Sequence, residues 1–425
     1  MSFLLPQLDL INNLRDTLSF QFRPLQRSFH FWTRAIDIYA GYKVFQVRVS
    51  FEKDVKKQEA MWEKQHQVAA DKIYDMCTQL GGFFLKVAQI IGKPDLAPAA
   101  WVKRLVTLCD QSPATPYQTL KIVLENELGQ DIVDVFERFD LEPLGSASIA
   151  QVHRARLRGD KDDVVVKVQH PGVQDIMMTD IHNLQAFALY MQKTDIKFDL
   201  FSITKEMETQ IGYEFDFRRE ADSMQRIRKF LYENNKRSPI LVPRVIRDMV
   251  TRKVLVMEYM DGVSIMKLGD EIAKRGINPN GKIATAAKHQ VALLDYGQVK
   301  DLPEKLRIGY ANLVLAIADG DTLRVIESFR ELGIDTSSTC EIHQEDMFKL
   351  AQQMFDTKMP PGESVLQPFS DDSLIKKIGV QAFPEELFSV LRTVQLLRGL
   401  SVGLGINYSC AQQWKPFAKE ALNQG

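Results

Sequence analysis

Leu144-Gly-Ser-Ala-Ser-Ile-Ala-Gln-Val-His153, followed by Val164-Val-Val-Lys-Val-Gln-His-Pro171, is the stretch on which the fold turns. The first segment reads as strand, small-residue turn, strand. The second is a β-branched run bounded by charged turn residues, so together they predict a β-meander. In the turn, Gly145, Ser146, Ala147 and Ser148 put small side chains where a backbone could approach phosphates and offer them N–H donors. A plain structural hairpin answers to the same pattern. Only Gly145 is free to take positive φ, because Ala147 and Ala150 pay a Cβ penalty there, so the loop is expected to be stiffer than a glycine-rich one.

Lys167 ends the run Val164-Val165-Val166, and a lysine inside an apolar strand must either reach solvent or meet an anion. On an edge strand it would snorkel outward. In a nucleotide site it would hold phosphates and pair with a helical glutamate.

Candidate carboxylates follow downstream. If one helix runs unbroken from Met207 to Met224, its residues Met207, Ile211, Phe215, Phe217, Ala221 and Met224 spread over one apolar arc. Glu214 falls inside that arc and needs a cation, a hydrogen-bond donor or a metal there. Asp216, Glu220 and Ser223 cluster opposite. They read either as a solvated face or as like charges awaiting cations.

Upstream, Ile73, Met76, Cys77, Leu80, Phe84, Val87 and Ile91 recur at helical spacing, which predicts a helix from Gln67 to Ile91 across Gly81-Gly82. Lys86 and Gln89 lie opposite that stripe with Lys93, and by periodicity alone they form a solvated polar face. Near the other end, Leu293-Leu-Asp-Tyr-Gly297 follows a short apolar strand. It is either a structural turn or the strand-then-Asp arrangement that places a Mg²⁺-binding carboxylate, here Asp295. Glu258-Tyr-Met260, after the strand Val254 to Met257, stands where a hinge between lobes would. From Asp301 on the pattern is mostly helical, with Pro360-Pro361-Gly362 marking a loop.

Composition narrows the function classes. A hydrophobic fraction of 45% with 26% charged residues is that of an ordinary folded chain. A net charge of -1 supplies no basic field for nucleic acid, so DNA or RNA binding is disfavoured. Cys77, Cys109, Cys340 and Cys410 form no metal-type spacing and read as reduced thiols. No window is long and apolar enough to predict a spanning helix. The first fifty residues mix arginines and aromatics with Asp9, Asp16 and Asp37, and read either as a targeting or membrane-surface segment or as an amphipathic lead-in packed on the body.

Taken in order, Lys86-Val-Ala-Gln89, Lys93-Pro-Asp-Leu96, the Gly145 to Val152 loop, Val166-Lys-Val-Gln-His-Pro171, Glu214-Phe-Asp216, Glu220-Ala221 and Leu294-Asp-Tyr-Gly297 resemble the signature of the UbiB, or aarF-domain, family of atypical kinases. The resemblance implies an α+β, bilobal protein-kinase-like fold with an N-terminal helical extension. It implies ATP or ADP binding with Mg²⁺ and a role in quinone or isoprenoid-lipid metabolism in mitochondria, plastids or bacteria. A lipid or quinone-pathway component and a peripheral membrane surface are the further partners it suggests. Carried over by position, it directs Lys86 and Gln89 to Glu214 and Asp216, pairs Lys167 with Glu220, and gives Asp295 the metal. Gly145, Ser146, Ala147, Ser148, Glu258 and Met260 then line the nucleotide. The domains expected are a lead-in at 1–66, an extension at 67–142, an N-lobe at 143–260 and a helical C-lobe at 261–425.

Two departures accompany the resemblance. Ala88 stands where the family has glycine. Between Glu271 and Leu294 there is no aspartate, and Asn278 and Asn280 sit in a Pro-Gly turn, so the catalytic base and second metal ligand have no candidate. The pattern reads as loss of a contiguous block joined near Lys288. A nucleotide-binding kinase or ATPase, a non-catalytic pseudokinase or scaffold, and an incompletely folding splice product are the readings this leaves.

Overall fold

The computed structural model describes residues 5–91, 98–108, 113–195, 200–234, 238–265, 267–268, 274, 291–336, 344–358, 378, 380–404 and 406–423. Lys93, most of the Pro94-to-Pro98 segment, Cys109, Asn278, Asn280, the junction near Lys288, Cys340 and the Pro360-Pro361-Gly362 loop lie outside them, as does the Gln89 side chain. The described residues fall into two compact units. One holds those up to Met260 together with Val291–Gln298, apart from the 94–96 segment; the other holds those of 261–290 and of Val299–Gly425.

The first unit is built on an antiparallel sheet. Its strands are β1 (Phe136–Phe139), β2 (Gly145–Ser146), β3 (Ala150–Leu157), β4 (Asp163–Gln169), β6 (Val245–Val250) and β7 (Val254–Glu258), in the order β1-β3-β4-β7-β6 with β2 on β3. β5 (Ile240–Leu241) and β8 (Val291–Ala292) form a separate parallel pair. β4 lies between β3 and β7, and its Val164, Val165, Val166 and Val168 are all buried. One face is closed by α5 (Tyr117–Leu128), whose Leu120 and Leu124 pack on Val164, Val166 and Val168. Burying each such side chain is worth roughly 2 kcal/mol. The sheet begins at Phe136, ahead of residue 143, because Phe136 enters this same core while its strand pairs with β3.

Two helices expected to run unbroken are each divided. α2 (Val55–Leu80) stops at Gly81, and Gly81 and Gly82 take φ of 60° and 51°, which redirects the chain into α3 (Phe83–Ile91). The turn places Phe83, Phe84, Leu85, Val87 and Ala88 in the core and buries Lys86, so the solvated face read from periodicity does not exist for Lys86. Farther on, α8 (Leu200–Glu214) and α9 (Phe217–Asn234) replace the single helix through Met207 to Met224. The Asp216 side chain accepts the Arg218 N–H at 3.1 Å and so caps α9. That break shifts the angular register, and Glu220 and Ser223 are buried instead of facing solvent.

The helix α1 (Leu5–Val49) lies on α7 (Val173–Thr194), which follows β4. Arg27 pairs with buried Asp180 at 2.6 Å, and the buried Phe31 ring stacks on Phe84 with centroids 5.4 Å apart. In the second unit, the helices Glu304–Asp319, Thr322–Leu332, Gln344–Phe355, Glu385–Gly403 and Cys410–Asn423 bury Leu313, Ile317, Val325, Phe329 and Leu350 in one core. Two of them cross so closely that a Cβ on Gly309 would come within 3.0 Å of the Leu332 side chain. Cys77 and Cys410 are free and buried.

Candidate functional site

The central position of β4 decides what Lys167 can do. Paired with Val152 on one side and Leu255 on the other, it has no sheet edge from which to snorkel. Its ammonium instead donates to both oxygens of Glu220, at 2.8 and 2.9 Å, and stands 5.1 Å from the centroid of the Phe217 ring. Glu220 lies in the first turn of α9 and is 3% exposed, so without this cation it would be a bare buried charge. Burial pushes the Glu220 carboxyl up from its ordinary value despite the neighbouring ammonium. For Lys167, burial alone would lower the pKa, but Glu220 and Asp295 outweigh it and the net direction is upward.

Asp295 arrives on the chain segment after β8. Its Oδ1 lies 3.7 Å from Lys167 Nζ and accepts the Gly297 N–H at 3.1 Å. The Tyr296 N–H donates to Glu220 at 3.3 Å, so the Asp-Tyr-Gly turn is tied directly to the Lys167–Glu220 pair. The Asp295 side chain is largely exposed to solvent. Partial desolvation would raise its pKa, but Lys167 and the Gly297 N–H prevail and hold it below the usual carboxylate value. A Cβ on Gly297 would meet Asp295 Oδ1 at 3.5 Å, Glu214 Cγ at 3.8 Å and Glu220 Oε2 at 3.9 Å, so three carboxylate side chains converge on that glycine.

Glu214, at the end of α8, forms an ion pair with Lys86 of α3 and accepts a hydrogen bond from Gln298 Nε2 at 2.6 Å. One carboxylate thus joins the helical extension to the segment following Asp295. Asp216 goes elsewhere: both its oxygens are engaged by the Arg218 guanidinium, at 2.8 and 2.7 Å, in addition to the cap. Glu258 accepts the Arg244 N–H at 3.0 Å at the end of β7, and Met260 is half-buried just beyond.

The small-residue loop is a hairpin, with Gly145 opposite Val152 and Ser146 opposite Gln151. Gly145 is not among the residues at positive φ; the chain reverses instead through Ala147, whose N–H donates to the Ala150 carbonyl at 2.8 Å. Sequence reasoning gave no role in this region to Gln298, Phe217, Thr115 or His170, all of which hold parts of it in place. Gln298 directly follows Asp-Tyr-Gly, and His170 lies within the Lys167 motif, but a lone polar residue carries no periodic signal.

The ABC1 atypical kinase-like domain family matches residues 107–285. The chloroplastic protein Activity of BC1 complex kinase 8 of Arabidopsis thaliana is 27% identical, over 84% of this chain and 54% of its own length. The AarF domain-containing protein kinase 1 of Xenopus tropicalis is 26% identical, over 83% of this chain and 73% of its own. Over residues 107–285 the chain carries an ABC1/AarF-type atypical kinase-like domain. Its fold is accordingly kinase-like, an α+β bilobal class with a helical N-terminal region. A solved Mycobacterium tuberculosis protein, described as an erythromycin complex, aligns with a TM-score of 0.45 and 18% identity, covering 81% of this chain and 97% of that one. The chain spans only about half the length of the Arabidopsis relative. Among the described residues, no helix is long and apolar enough to cross a membrane.

Proposed function

We propose that the chain binds ATP or ADP together with Mg²⁺ at Lys167, Glu220 and Asp295, and that catalytic turnover by this chain is strongly impaired. The observation carrying the first part is the convergence of a central-strand lysine, its glutamate partner and the Asp295 turn within hydrogen-bonding or ion-pair distance. Lys167 would hold the phosphates as a point charge, with Glu220 fixing its position. Asp295 suits Mg²⁺ because it offers hard carboxylate oxygens. Among the described residues no three His, Cys, Asp or Glu side chains form a cage, and Mg²⁺ is commonly held by one or two carboxylates completed by phosphate oxygens. Bound there, the cation would neutralise charge on the transferring phosphate.

The second part comes from the sequence between Glu271 and Leu294, which contains no aspartate to act as base. Phosphoryl transfer depends on positioning and electrostatics, so losing a base and a metal ligand costs at least about 4 kcal/mol of barrier, roughly a thousandfold in rate. Restoring the missing block should raise ATP hydrolysis by that factor in a side-by-side assay of two folded chains. Equal rates that depend on Asp295 would show that another group serves as the base. The alternative role is that of a pseudokinase or scaffold which retains nucleotide without turnover.

The relatives named chloroplastic support an organellar location. A role in quinone or isoprenoid-lipid metabolism, in a plastid or mitochondrion and with peripheral membrane contact, is the broader setting we propose. Displacement of a fluorescent ADP analogue by ADP, with and without Mg²⁺, tests the binding. No displacement at millimolar nucleotide would refute it.

A further inference from the structure

The hairpin turn beside the proposed phosphate site is fixed from one face of the sheet. His170 Nε2 donates to the Ala147 carbonyl at 2.9 Å, and because a carbonyl only accepts, the proton is on Nε2. Nδ1 then accepts from the Thr115 hydroxyl at 2.7 Å. Burial holds His170 below its ordinary pKa, which favours this neutral ring. Thr115 is itself clamped: its N–H donates to Gln151 Oε1 at 2.7 Å, and Gln151 Nε2 donates to its carbonyl at 3.1 Å.

The register places these groups on a definite side. Gln151 is opposite Val168, on the face covered by α5, whereas Lys167 is opposite Val152 on the other face. His170, bonded to Thr115, therefore draws the Ala147 carbonyl toward the α5 face. The Ala147 carbonyl and the Ser148 N–H belong to one peptide plane, and no cis peptide bond occurs among the described residues. In a trans peptide the two groups point in opposite directions, so the Ser148 N–H is turned toward the Lys167 face. The plane before it is fixed as well, by the Ala147 N–H bond to Ala150.

We propose that His170 is a positioning residue that aims the backbone N–H of Ser148 at the phosphates of a nucleotide held by Lys167. The inference rests on the nucleotide reading above. A polar imidazole relay through Thr115 does here what flexible glycines do in other phosphate loops: it presents a donor, but with its direction set beforehand.

Calorimetric titration of ADP and of adenosine into the full chain and into His170→Phe separates the possibilities. Phenylalanine should weaken ADP about tenfold while leaving adenosine unchanged, since only ADP carries phosphates for the Ser148 amide. Thr115→Val should weaken ADP by a smaller factor, and His170→Gln, which keeps an N–H donor, should recover part of the loss. In the unmutated chain, ¹⁵N shifts should place the His170 proton on Nε2; a proton on Nδ1 overturns the proposal without reliance on any variant. Equal ADP affinity in His170→Phe, or an equal fall for adenosine, overturns the aiming alone. Failure of the unmutated chain to bind ADP overturns the nucleotide reading, and the aiming with it.

Discussion

Glu220 receives the Lys167 ammonium on both of its carboxylate oxygens, at 2.8 and 2.9 Å, from the middle of a five-strand path in which neither neighbour of β4 is an edge to solvent. The Lys167 side chain is only 17% exposed, and replacing Glu220 by Ala leaves its ammonium with Asp295 at 3.7 Å as a partial substitute. Breaking a buried pair of this kind costs about 3 kcal/mol, read by urea denaturation of the full chain. A change below about 0.5 kcal/mol would mean that Lys167 finds water without its partner.

Asp216→Ala should cost about 1 kcal/mol through loss of the α9 cap, with nucleotide affinity unchanged. The measurement is again denaturation, paired with an ADP titration. Lost ADP binding at unchanged stability would give Asp216 a direct part in the site.

The helix break that turns Asp216 into a cap also shows where sequence reading stops. The sheet, its hydrophobic strands and the Lys167 motif are legible because short β-branched runs bounded by turn residues mark strands, and the ordered motifs of the family are legible as a series. The pairing demanded by Glu214 was legible too, from the cost of burying a carboxylate. What the sequence leaves open is the interruption between Glu214 and Phe217: Gly212 stands just before it, but a single glycine can be absorbed in a helix and the angular arc remains plausible across it. Gly81-Gly82 did mark a break, but a glycine pair can also be absorbed in a helix, and only the positive φ values decide. Gln298 acts through one side-chain hydrogen bond and His170 through two, all to residues distant in sequence, which no local pattern encodes.

Acid should weaken the sheet through Asp163. Burial would raise its carboxyl, but Arg154, Arg156 and Arg138 hold it down at about 2. A depressed folded-state pKa contributes stability above the unfolded value near 4, and that contribution is lost as pH falls from about 4 through about 2. Asp163→Asn should therefore be less stable than the unmutated chain by about 1 kcal/mol at pH 7, and the difference should shrink on approach to pH 2. Denaturation midpoints across that range check it; a difference independent of pH would assign the effect to packing.

The most direct test of the account is the thermal shift of the full chain with Mg²⁺-ADP, alongside Lys167→Ala and Asp295→Ala. Nucleotide at a hundredfold excess over Kd should add about 2.7 kcal/mol of stability to the unmutated chain, and most of that increment should disappear in both variants, each verified as folded. An increment of the same size in all three chains would contradict a site built on Lys167 and Asp295.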